Sequence, residues 1–387
     1  MFLLGISVIC LLTVIFFLVK LAKLAGQRSH ITECHDSRKD WPTVSVIIPA
    51  RNEEANIAKS LGSMLAQDYP SDKLQIIVVD DYSEDKTEAI ATKLMETSSF
   101  DARVISGRPL PEGWLGKSNA CMWGAMNATG EYLFFVDADT ESEPALLKSI
   151  IEFSLTRDIE LLSFNPQQEM ISFSEKSLLP GVFLSTANSM DFVASNTPEK
   201  EEAIANGQAM LFLASSYHAE QGHDLVKADI SEDLAFAEKF KRRGHRIYWA
   251  FADSLMRTRM YTNAQEVWDG FSKNMHRIVK APTLFKASWY WFKCQWIAWM
   301  APVLLVISAI EYLQSPTQLA TWALGVNAIT IIALLATFIG LVRELFVPLH
   351  YAIFVPVGIS LNGFLTLNAL RLHRLNKVTW KNRSIPQ

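Results

Sequence analysis

Four long stretches of the 387-residue chain contain no Asp, Glu, Lys or Arg, and they constrain its fold more than any other feature. They cover residues 1–19, 294–310, 315–342 and 345–370. A helix that crosses a bilayer needs about 20 mostly apolar residues, and somewhat fewer where flanking side chains reach the interface. The stretches therefore predict an integral membrane protein.

The first stretch is interpreted as an anchor rather than a cleaved signal peptide. It lacks a basic region ahead of its apolar residues and a small-residue cleavage site. Lys20, Lys23 and Arg28 follow it, so the positive-inside rule predicts an external N-terminus and a cytoplasmic middle of the chain. The predicted regions are an anchor over 1–22, a linker over 23–42, a cytoplasmic domain over 43–260, an amphipathic interfacial segment over 261–285, a membrane region of two or three spans over 286–370 and a basic tail over 371–387.

Charge and cysteine content narrow the function further. The formal net charge of −4 offers no basic excess for binding nucleic acid. None of the four cysteines has metal-ligand spacing, and a reducing cytoplasm argues against disulfides. We assign the cysteines no role.

The middle of the chain is organised around residues 131–141, EYLFFVDADTE. The large apolar residues predict a strand buried on both faces of a parallel sheet, and Asp137 and Asp139 fall where that strand ends. Open α/β sheets bind ligands at this edge, and carboxylates suit Mg²⁺ or Mn²⁺, which fill their other positions with water and phosphate. A plain strand-end turn explains so short a motif equally well. Glu141 is a candidate third ligand or a first-turn helix acid.

A predicted strand over residues 44–48 runs into the polar sextet PARNEE at 49–54. Apolar residues then recur at helical spacing, so the sextet is a strand-to-helix turn at the carboxyl edge of the sheet. The sextet lacks the glycines of a dinucleotide or P-loop fingerprint. This argues against a dehydrogenase or an NTPase.

Two more strand ends carry polar residues. After the strand over 75–79, Asp80 and Ser83 are equally well explained as caps of the turn and helix, whereas Asp81 can accept the imide N–H of uracil. A loop rich in Gly and Pro ends in Lys117, which can neutralise a diphosphate, although a solvated surface lysine is the alternative. Together, these strand–helix units predict a doubly wound α/β domain.

In chain order, five motifs resemble glycosyltransferase family 2: PARNEE at 49–54, DDYSEDKT at 80–87, LPEGWLGKS at 110–118, DAD at 137–139 and SED at 231–233. They look most like the membrane-bound branch that glycosylates carotenoid acids such as diaponeurosporenoate, hopanoids or related lipids. The resemblance covers residues 40–285 and extends weakly into the C-terminal spans.

The resemblance implies a GT-A (Rossmann-like) fold, a nucleotide-sugar donor, a divalent cation and inversion at the anomeric carbon. The implied nucleotide-sugar-binding residues are Pro49, Ala50, Arg51, Asn52, Glu53, Asp81, Ser83, Lys117 and Asp137. The implied metal ligands are Asp137 and Asp139, and the implied catalytic base is Asp233. Tyr82 departs from the small residue that usually follows the paired acids.

These residues suit that chemistry. Displacing a sugar from its diphosphate develops negative charge on the leaving oxygen, which a divalent cation and Lys117 would stabilise. If Ser231 caps a helix over 234–240, Glu232 and Asp233 lie in its first turn, where a carboxylate can take the acceptor's proton. Without the other motifs, both would be ordinary helix-dipole acids. An acceptor that is itself a carboxylate would need no base.

Asn206, Gly207 and Gln208 match a family loop that precedes an apolar strand over 209–213. We therefore expect Gly207, Gln208 and Glu232 on the acceptor side. Processive polysaccharide synthases carry Q-x-x-R-W downstream of the base, whereas the nearest candidate here, residues 265–268, is QEVW. We expect one sugar per acceptor.

Two segments are predicted to lie at the membrane surface. Apolar residues from Val267 to Val279 fall on one helical face, with a soluble helix packed on the domain as the alternative. Residues 178–184 are apolar but too short to span, and a crossing there would separate Asp139 from Asp233.

The C-terminal region presents a contradiction. Three spans after a cytoplasmic domain would place the tail outside, yet its basic residues predict a tail inside. These residues are Arg371, Arg374, Lys377, Lys381 and Arg383. The last apolar stretch contains Pro356 and Gly358 and is the candidate for a re-entrant or interfacial segment.

The sequence thus predicts a multi-pass protein of the cell membrane that transfers one sugar from a nucleotide sugar, first of all UDP-glucose, to a lipid such as a carotenoid acid or hopanoid. The predicted cofactor is Mg²⁺ or Mn²⁺. The alternatives are a processive polysaccharide synthase and transfer to polyprenyl phosphate, ceramide or diacylglycerol. A non-enzymatic alternative is a transport or assembly component that senses nucleotide.

Overall fold

The computed structural model describes residues 1–34, 38–375, 377, 379–380 and 383–384. Residues 35–37 of the predicted linker, and Lys381 and residues 385–387 of the predicted tail, lie outside the described residues. The chain divides into two compact units. The sheet unit comprises Arg28–Glu169 and Asp191–Met260, and the helical unit comprises Met1–Gln27, Met170–Met190 and Tyr261–Ile385.

Strands and helices alternate strictly from residue 44 to residue 136, and both kinds of element continue to residue 251. The strands are β1 (Val44–Ala50), β2 (Leu74–Asp80), β3 (Asp101–Ser106), β4 (Tyr132–Val136), β5 (Thr140–Ser142), β6 (Leu161–Asn165), β7 (Gln167–Gln168), β8 (Ala209–Leu213), β9 (Ile247–Phe251), β10 (Met256–Thr258), β11 (Thr379–Trp380) and β12 (Arg383–Ser384). The helices are α1 (Phe2–Gly26), α2 (Ile57–Leu65), α3 (Thr87–Met95), α4 (Gly116–Met126), α5 (Leu146–Arg157), α6 (Phe173–Ala187), α7 (Phe192–Asn196), α8 (Ala214–Ala219), α9 (Glu232–Arg242), α10 (Ala264–Ser272), α11 (Met275–Ile278), α12 (Leu284–Gln314), α13 (Gln318–Glu344) and α14 (Val355–Arg374), with 3₁₀ turns at Gly222–Val226 and Leu349–Phe354.

The main sheet of the described sheet unit has the strand order β3-β2-β1-β4-β8-β6-β9. β1 pairs in parallel with β2 and β4, and β2 pairs in parallel with β3, which confirms the doubly wound half. β8 runs antiparallel to both β4 and β6, so the sheet is mixed. The expectation of parallel neighbours for β4 is wrong on this side, because the chain reaches β8 at the carboxyl edge and must run back from there.

Successive residues of the central strands pack on opposite faces of the sheet, as the period of a strand requires. Ile48 and Phe134 lie in the layer with α2, α3 and α5, whereas Ile47 and Phe135 lie in the layer with α4 and α9. All four side chains are almost fully buried, and each buried side chain of this size contributes about 1.5–3 kcal/mol. A core on both faces leaves the strand ends free for polar side chains.

A small sheet of order β5-β10-β7 lies immediately after the D-x-D segment. Glu141 belongs to β5, so it is not a first-turn helix acid. Its carboxylate forms ion pairs with Arg257 and Lys59, each at 2.5 Å. The hydrogen bond from Arg257 lowers the pKa of Glu141. The two side chains, rather than a metal ion, are the partners of the Glu141 carboxylate in the described structure.

Among the described residues, four helices of the helical unit are long and apolar enough to cross a membrane. They are Phe2–Gly26, Leu284–Gln314, Gln318–Glu344 and Leu349–Arg374, the last made of a 3₁₀ turn and α14. In the fourth helix, 50% of its apolar 18-residue segment is buried, whereas 22–28% of the corresponding segment is buried in each of the other three. The chain is therefore compatible with association with a membrane.

The predicted amphipathic segment is broken into α10 and α11 rather than forming one helix. Val267, Phe271 and Met275 are buried in the core of the helical unit, so the apolar face packs on protein. The predicted apolar patch at 178–184 lies within α6, which also belongs to the helical unit.

Candidate active site

Lys117 joins several of the predicted site residues. It lies in the first turn of α4, and its Nζ is 2.8 Å from Asp137 Oδ1 and 3.0 Å from Glu232 Oε1. The same Nζ also lies 3.4 Å from the carbonyl oxygen of Gly207. The end of β4, the start of α4, the start of α9 and the turn before β8 thus meet around one ammonium group.

The charges of this cluster are strongly coupled. Burial opposes the charge of Lys117, but Asp137 and Glu232 raise its pKa well above the usual value. Burial raises the pKa of Asp137, and Lys117 acts against that rise. Lys117 is therefore a permanent cation at the end of β4.

Asp139 fits a divalent cation. Its Oδ1 is sealed from solvent and has no hydrogen-bond partner within the described ranges. Burial, followed by the charges of Asp137 and Glu53, raises the pKa of Asp139 to about 7. A hard cation would satisfy such a carboxylate.

The protein ligands alone would not complete a metal site. In the part of the chain that the structure describes, no group of three or more His, Cys, Asp or Glu side chains could hold a metal ion. Mg²⁺ and Mn²⁺ are commonly bound by one or two carboxylates, with water and substrate phosphate in the other positions. The residues present fit that arrangement.

Asp233 lies in the first turn of α9, as predicted. The side chain of Ser231 makes no capping hydrogen bond in the described structure. Instead, Asp233 Oδ1 accepts from the Leu234 N–H at 2.8 Å and Oδ2 from the Gly207 N–H at 2.8 Å. Burial, followed by the charge of Glu232, raises the pKa of Asp233 to about 6. Asp233 is thus a carboxylate of fixed orientation.

Gly207 lies where a larger residue would crowd the cluster. A Cβ at this position would be 3.1 Å from Lys117 Nζ, 3.2 Å from Glu232 Oε1 and 3.5 Å from Asp233 Oδ2. The absence of a side chain lets the backbone N–H reach Asp233 and the carbonyl reach Lys117.

A second group of predicted residues lies at the ends of β1 and β2. Arg51 Nη1 donates to the carbonyl of Asp81 at 2.7 Å, and the Asn52 N–H donates to Ser83 Oγ at 2.9 Å. Asn52 Oδ1 in turn accepts from the Glu84 N–H at 2.9 Å. Ser83 thus links the two loops, and the pair of loops forms one connected surface.

The remaining residues of this edge are fixed by their backbones. The Asp81 N–H donates to the Ala50 carbonyl at 2.8 Å, and Pro49 pairs with Val79 inside the sheet. Asp80 accepts from the Ser83 N–H, which is the turn-capping role that the sequence allowed. Pro49 and Ala50 therefore contribute strand backbone to the site.

Glu53 connects the two groups. Its N–H donates to Thr87 Oγ1 at 2.8 Å, which ties the β1 turn to the start of α3. Its charge also contributes to the raised pKa values of Asp137 and Asp139.

Two non-glycine residues of this edge have left-handed backbones, Asn52 at φ 52° and Tyr82 at φ 57°. Asn adopts this conformation readily, whereas a bulky residue there is an outlier. Tyr82, the residue that departs from the family pattern, is half exposed. The departure therefore coincides with a strained turn.

Sequence reasoning missed Asn165 and Gln168. Asn165 is the last residue of β6 and Gln168 the last of β7, and they form hydrogen bonds to Asn206 and Gln208, respectively. About forty residues separate the two pairs, and no motif marks Asn165 or Gln168. Only the pairing of β6 with β8 brings them together.

Residues 45–200 match the model of the family described as Glycosyl transferase family 2. This match agrees with the resemblance that the motifs show and with the α/β fold that the resemblance implies. The chain resembles curated relatives that carry the name of one such enzyme.

Two relatives are named 4,4'-diaponeurosporenoate glycosyltransferase. The protein of Staphylococcus haemolyticus (strain JCSC1435) is 31% identical over 215 residues, which is 54% of this chain and 54% of the relative. That of Staphylococcus aureus (strain MRSA252) is 27% identical over 257 residues, 65% of this chain and 66% of the relative. The chain thus spans about half to two thirds of the length of these relatives.

A solved mannosyltransferase, PcManGT from Pyrobaculum calidifontis in complex with GDP-Man and Mn²⁺, aligns with a TM-score of 0.49 and 17% identity. The alignment covers 94% of this chain and 99% of that chain. An overlap this loose transfers no residue to the site described above.

Proposed function

We propose that this protein is a membrane-bound, inverting glycosyltransferase that transfers one sugar from a nucleotide sugar to a lipid acceptor. UDP-glucose is the proposed donor, and a carotenoid acid or hopanoid is the proposed acceptor. One observation carries the proposal: Gly207 contacts both Lys117, beside the D-x-D segment, and Asp233. In this proposal, a cation for the leaving group and a carboxylate base would lie on either side of one glycine.

The donor's nucleotide is assigned to the linked loops after β1 and β2. Asp81 would accept the imide N–H of uracil, and its backbone is held by Ala50 and Arg51. The backbone around Asn52 and Ser83 completes this side of the site. Because the two loops are hydrogen-bonded to each other, the base site is ordered before the donor arrives.

The diphosphate is assigned to the end of β4. Asp137 and Asp139 would hold a divalent cation, which supplies positive charge to the leaving diphosphate. Lys117 adds a second, permanent charge, because neighbouring carboxylates keep it protonated. The ammonium group of a lysine interacts with phosphate as a point charge.

The acceptor is assigned to the side of Asp233. Both oxygens of this carboxylate are held by backbone N–H groups, so Asp233 can take the proton of an acceptor hydroxyl without first reorienting. Attack from the face opposite the diphosphate inverts the anomeric carbon. The absence of Q-x-x-R-W from residues 265–268 supports transfer of a single sugar.

The lipid acceptor and the orientation in the membrane belong to the same proposal. Four candidate membrane helices and the names of the relatives support a lipid substrate. Lys20, Lys23 and Arg28 support a cytoplasmic sheet unit with an external N-terminus. A cytoplasmic site has direct access to nucleotide sugars.

The full chain in lipid nanodiscs, with Mn²⁺ and radiolabelled UDP-glucose, tests the function on lipid extracts that contain carotenoid acids or hopanoids. We expect a lipid carrying a single hexose, identified by mass spectrometry, with the opposite anomeric configuration from the donor. A polymeric product would favour a polysaccharide synthase. Metal-dependent UDP binding without any product would favour a nucleotide sensor.

The variant Asp139→Asn tests the cation site directly. It should abolish Mn²⁺-dependent binding of UDP in calorimetry, because the remaining carboxylate, Asp137, is already paired with Lys117. Asp72→Asn is the matched control, since Asp72 is exposed and lies just before the start of β2, away from the carboxyl ends of the strands. Equal UDP affinity in Asp139→Asn and the parent would contradict the metal role.

A further inference from the structure

Four side-chain amides form a hydrogen-bonded chain where β6 ends and β8 begins. Asn206 Nδ2 donates to Asn165 Oδ1 at 3.1 Å and to Gln208 Oε1 at 2.9 Å. Gln168 Nε2 donates to the same Gln208 oxygen at 3.3 Å. Gln208 therefore accepts two hydrogen bonds through one atom.

Backbone groups that can only donate, or only accept, a hydrogen bond fix the orientation of each of these four side-chain amides. The Gln208 N–H can only donate, and it donates to Asn206 Oδ1 at 3.1 Å, so the other end of the Asn206 amide must be its NH₂. The Pro166 carbonyl can only accept, and it accepts from Asn165 Nδ2 and Gln168 Nε2. These fixed donors leave Gln208 one arrangement, with its oxygen toward Asn206 and Gln168.

The NH₂ group of Gln208 is consequently turned away from the amide chain. No described residue accepts a hydrogen bond from it, although the Gln208 residue is only 5% exposed. Its nitrogen is not among the atoms sealed from solvent. A mostly buried residue thus presents a donor that no described protein group uses and that water or a ligand can reach.

Gln208 lies between the two reacting ends of the site. The carbonyl of Gln208 accepts from the N–H of Asp137 at 3.2 Å, beside the proposed diphosphate site. The preceding residue, Gly207, binds the proposed base Asp233. In a displacement, the transferred sugar occupies the space between the leaving oxygen and the attacking oxygen.

We propose that Gln208 determines specificity for the transferred sugar, by donating hydrogen bonds from its NH₂ group to a hydroxyl oxygen of that sugar. Asn206, Gln168 and Asn165 are positioning residues that hold this donor in one orientation. The inference rests on the proposed function, because it needs a nucleotide sugar at the D-x-D segment. It adds a recognition role for a residue that the motifs place only near the acceptor.

The test compares the affinities for UDP and for a UDP-sugar. Calorimetry on the full chain in nanodiscs with Mn²⁺ first identifies which of UDP-glucose, UDP-galactose and UDP-N-acetylglucosamine binds most tightly. Gln208→Glu replaces the donor with an oxygen of the same shape and still accepts from Asn206 and Gln168. We expect UDP affinity to stay unchanged and affinity for the sugar nucleotide to fall about tenfold or more, the loss expected for one hydrogen bond.

A second variant tests the positioning role without changing Gln208. Asn206→Asp keeps an acceptor for the Gln208 N–H but turns an oxygen toward Gln208 Oε1, which repels it and displaces the Gln208 amide from its present orientation. We expect the same selective loss, seen as a higher KM for the sugar nucleotide. Gln167→Glu is the matched control, because it adds a charge one residue from Gln168 without touching the amide chain.

The outcomes separate this inference from the proposed function. A parent protein that binds no nucleotide sugar contradicts the proposed function, and this inference with it. If the parent binds and transfers sugar, unchanged affinity in both variants overturns the inference alone. A fall in turnover without any change in sugar-nucleotide affinity also overturns it, since the amide would then serve the acceptor.

Discussion

At the scale of single residues, Asp233 sets the pH dependence of the proposed reaction. Its carboxylate faces Glu232 on its own helix, Lys117 from α4 and the N–H groups of Gly207 and Leu234. The pKa is raised to about 6, and a general base must be ionised. We therefore expect kcat to fall as the pH drops through about 6 and to level off above it, as measured in initial-rate profiles at saturating donor.

The variant Asp233→Asn supplies the control for that profile. It should bind the donor as tightly as the parent protein does, and its kcat should be lower by about 10²- to 10⁴-fold. The fall of kcat near pH 6 should be absent from its pH profile. Glu238→Gln, an exposed change on the same helix, should leave the profile intact. If Asp233→Asn retains full turnover, Asp233 is not the base, as a carboxylate acceptor would allow.

The acidic residues of the site were predictable because strand ends in a parallel sheet meet at one edge. Asp81 and Asp137 each follow from that rule and from the run of apolar residues before them. The role of Gln208 was not predictable, because it depends on Asn165 and Gln168. Their contact with Asn206 and Gln208 arises only from the register of two antiparallel strands.

At the scale of secondary-structure elements, the tightest contact in the helical unit joins α6 to α14. A Cβ at Gly181 would lie 2.2 Å from the Val355 carbonyl oxygen, and one at Gly358 would lie 2.1 Å from the Leu178 carbonyl oxygen. Both clashes involve backbone atoms, which cannot move aside as a side chain can. Asn362 reinforces the contact by donating to Ser185 Oγ at 2.7 Å.

We expect Gly181→Ala and Gly358→Ala to destabilise the protein by about 1–3 kcal/mol each, because the helices must separate to admit the methyl group. Thermal unfolding in detergent measures this as a lower Tm. Gly325→Ala in α13 is the matched control, since no described atom lies within 4 Å of its new Cβ. It should be stabilising by about 0.5–1 kcal/mol, so a similar Tm loss in all three variants would contradict the close contact.

The existence of most elements was predictable, but their partners were not. The apolar pattern from Val267 to Val279 indicated one amphipathic helix, and Asn274 is the N-cap residue of a second helix that interrupts it. The pattern predicts an apolar face but not the elements that pack against it. In the structure, α14 and α6 pack against this face. The direction of β8 was hidden for the same reason, since a strand's residues do not encode the edge from which the chain arrives.

At the scale of the whole molecule, the contacts of α14 address the contradiction over the C-terminal tail. α6 has 15 residues, about 22 Å of helix, and the chain belongs to the sheet unit on both sides of it. Since a bilayer core is about 30 Å thick, α6 is too short to cross it. Likewise, α10 and α11 precede α12 without an intervening span.

α14 lies along these same elements over most of its length. Gly358 contacts α6, Asn368 Nδ2 donates to Ser272 Oγ of α10 at 2.9 Å, and the His373 ring lies 5.1 Å from that of His276 in α11. α6, α10 and α11 are all too short to cross a bilayer, although α14 also packs against α12, where Gln295 Nε2 donates to the Ser360 carbonyl at 3.2 Å. We therefore propose that α1, α12 and α13 are the only membrane-crossing helices among the described residues.

With an external N-terminus, three crossings would place the tail in the cytoplasm, where its basic residues are expected. Green fluorescent protein fused to the C-terminus should fluoresce, and alkaline phosphatase fused there should be inactive. Phosphatase inserted at Ser315, between α12 and α13, is the matched control and should be active, because two crossings precede it. Active phosphatase at the C-terminus would show that α14 crosses, and its contacts with α6, α10 and α11 would then need another explanation.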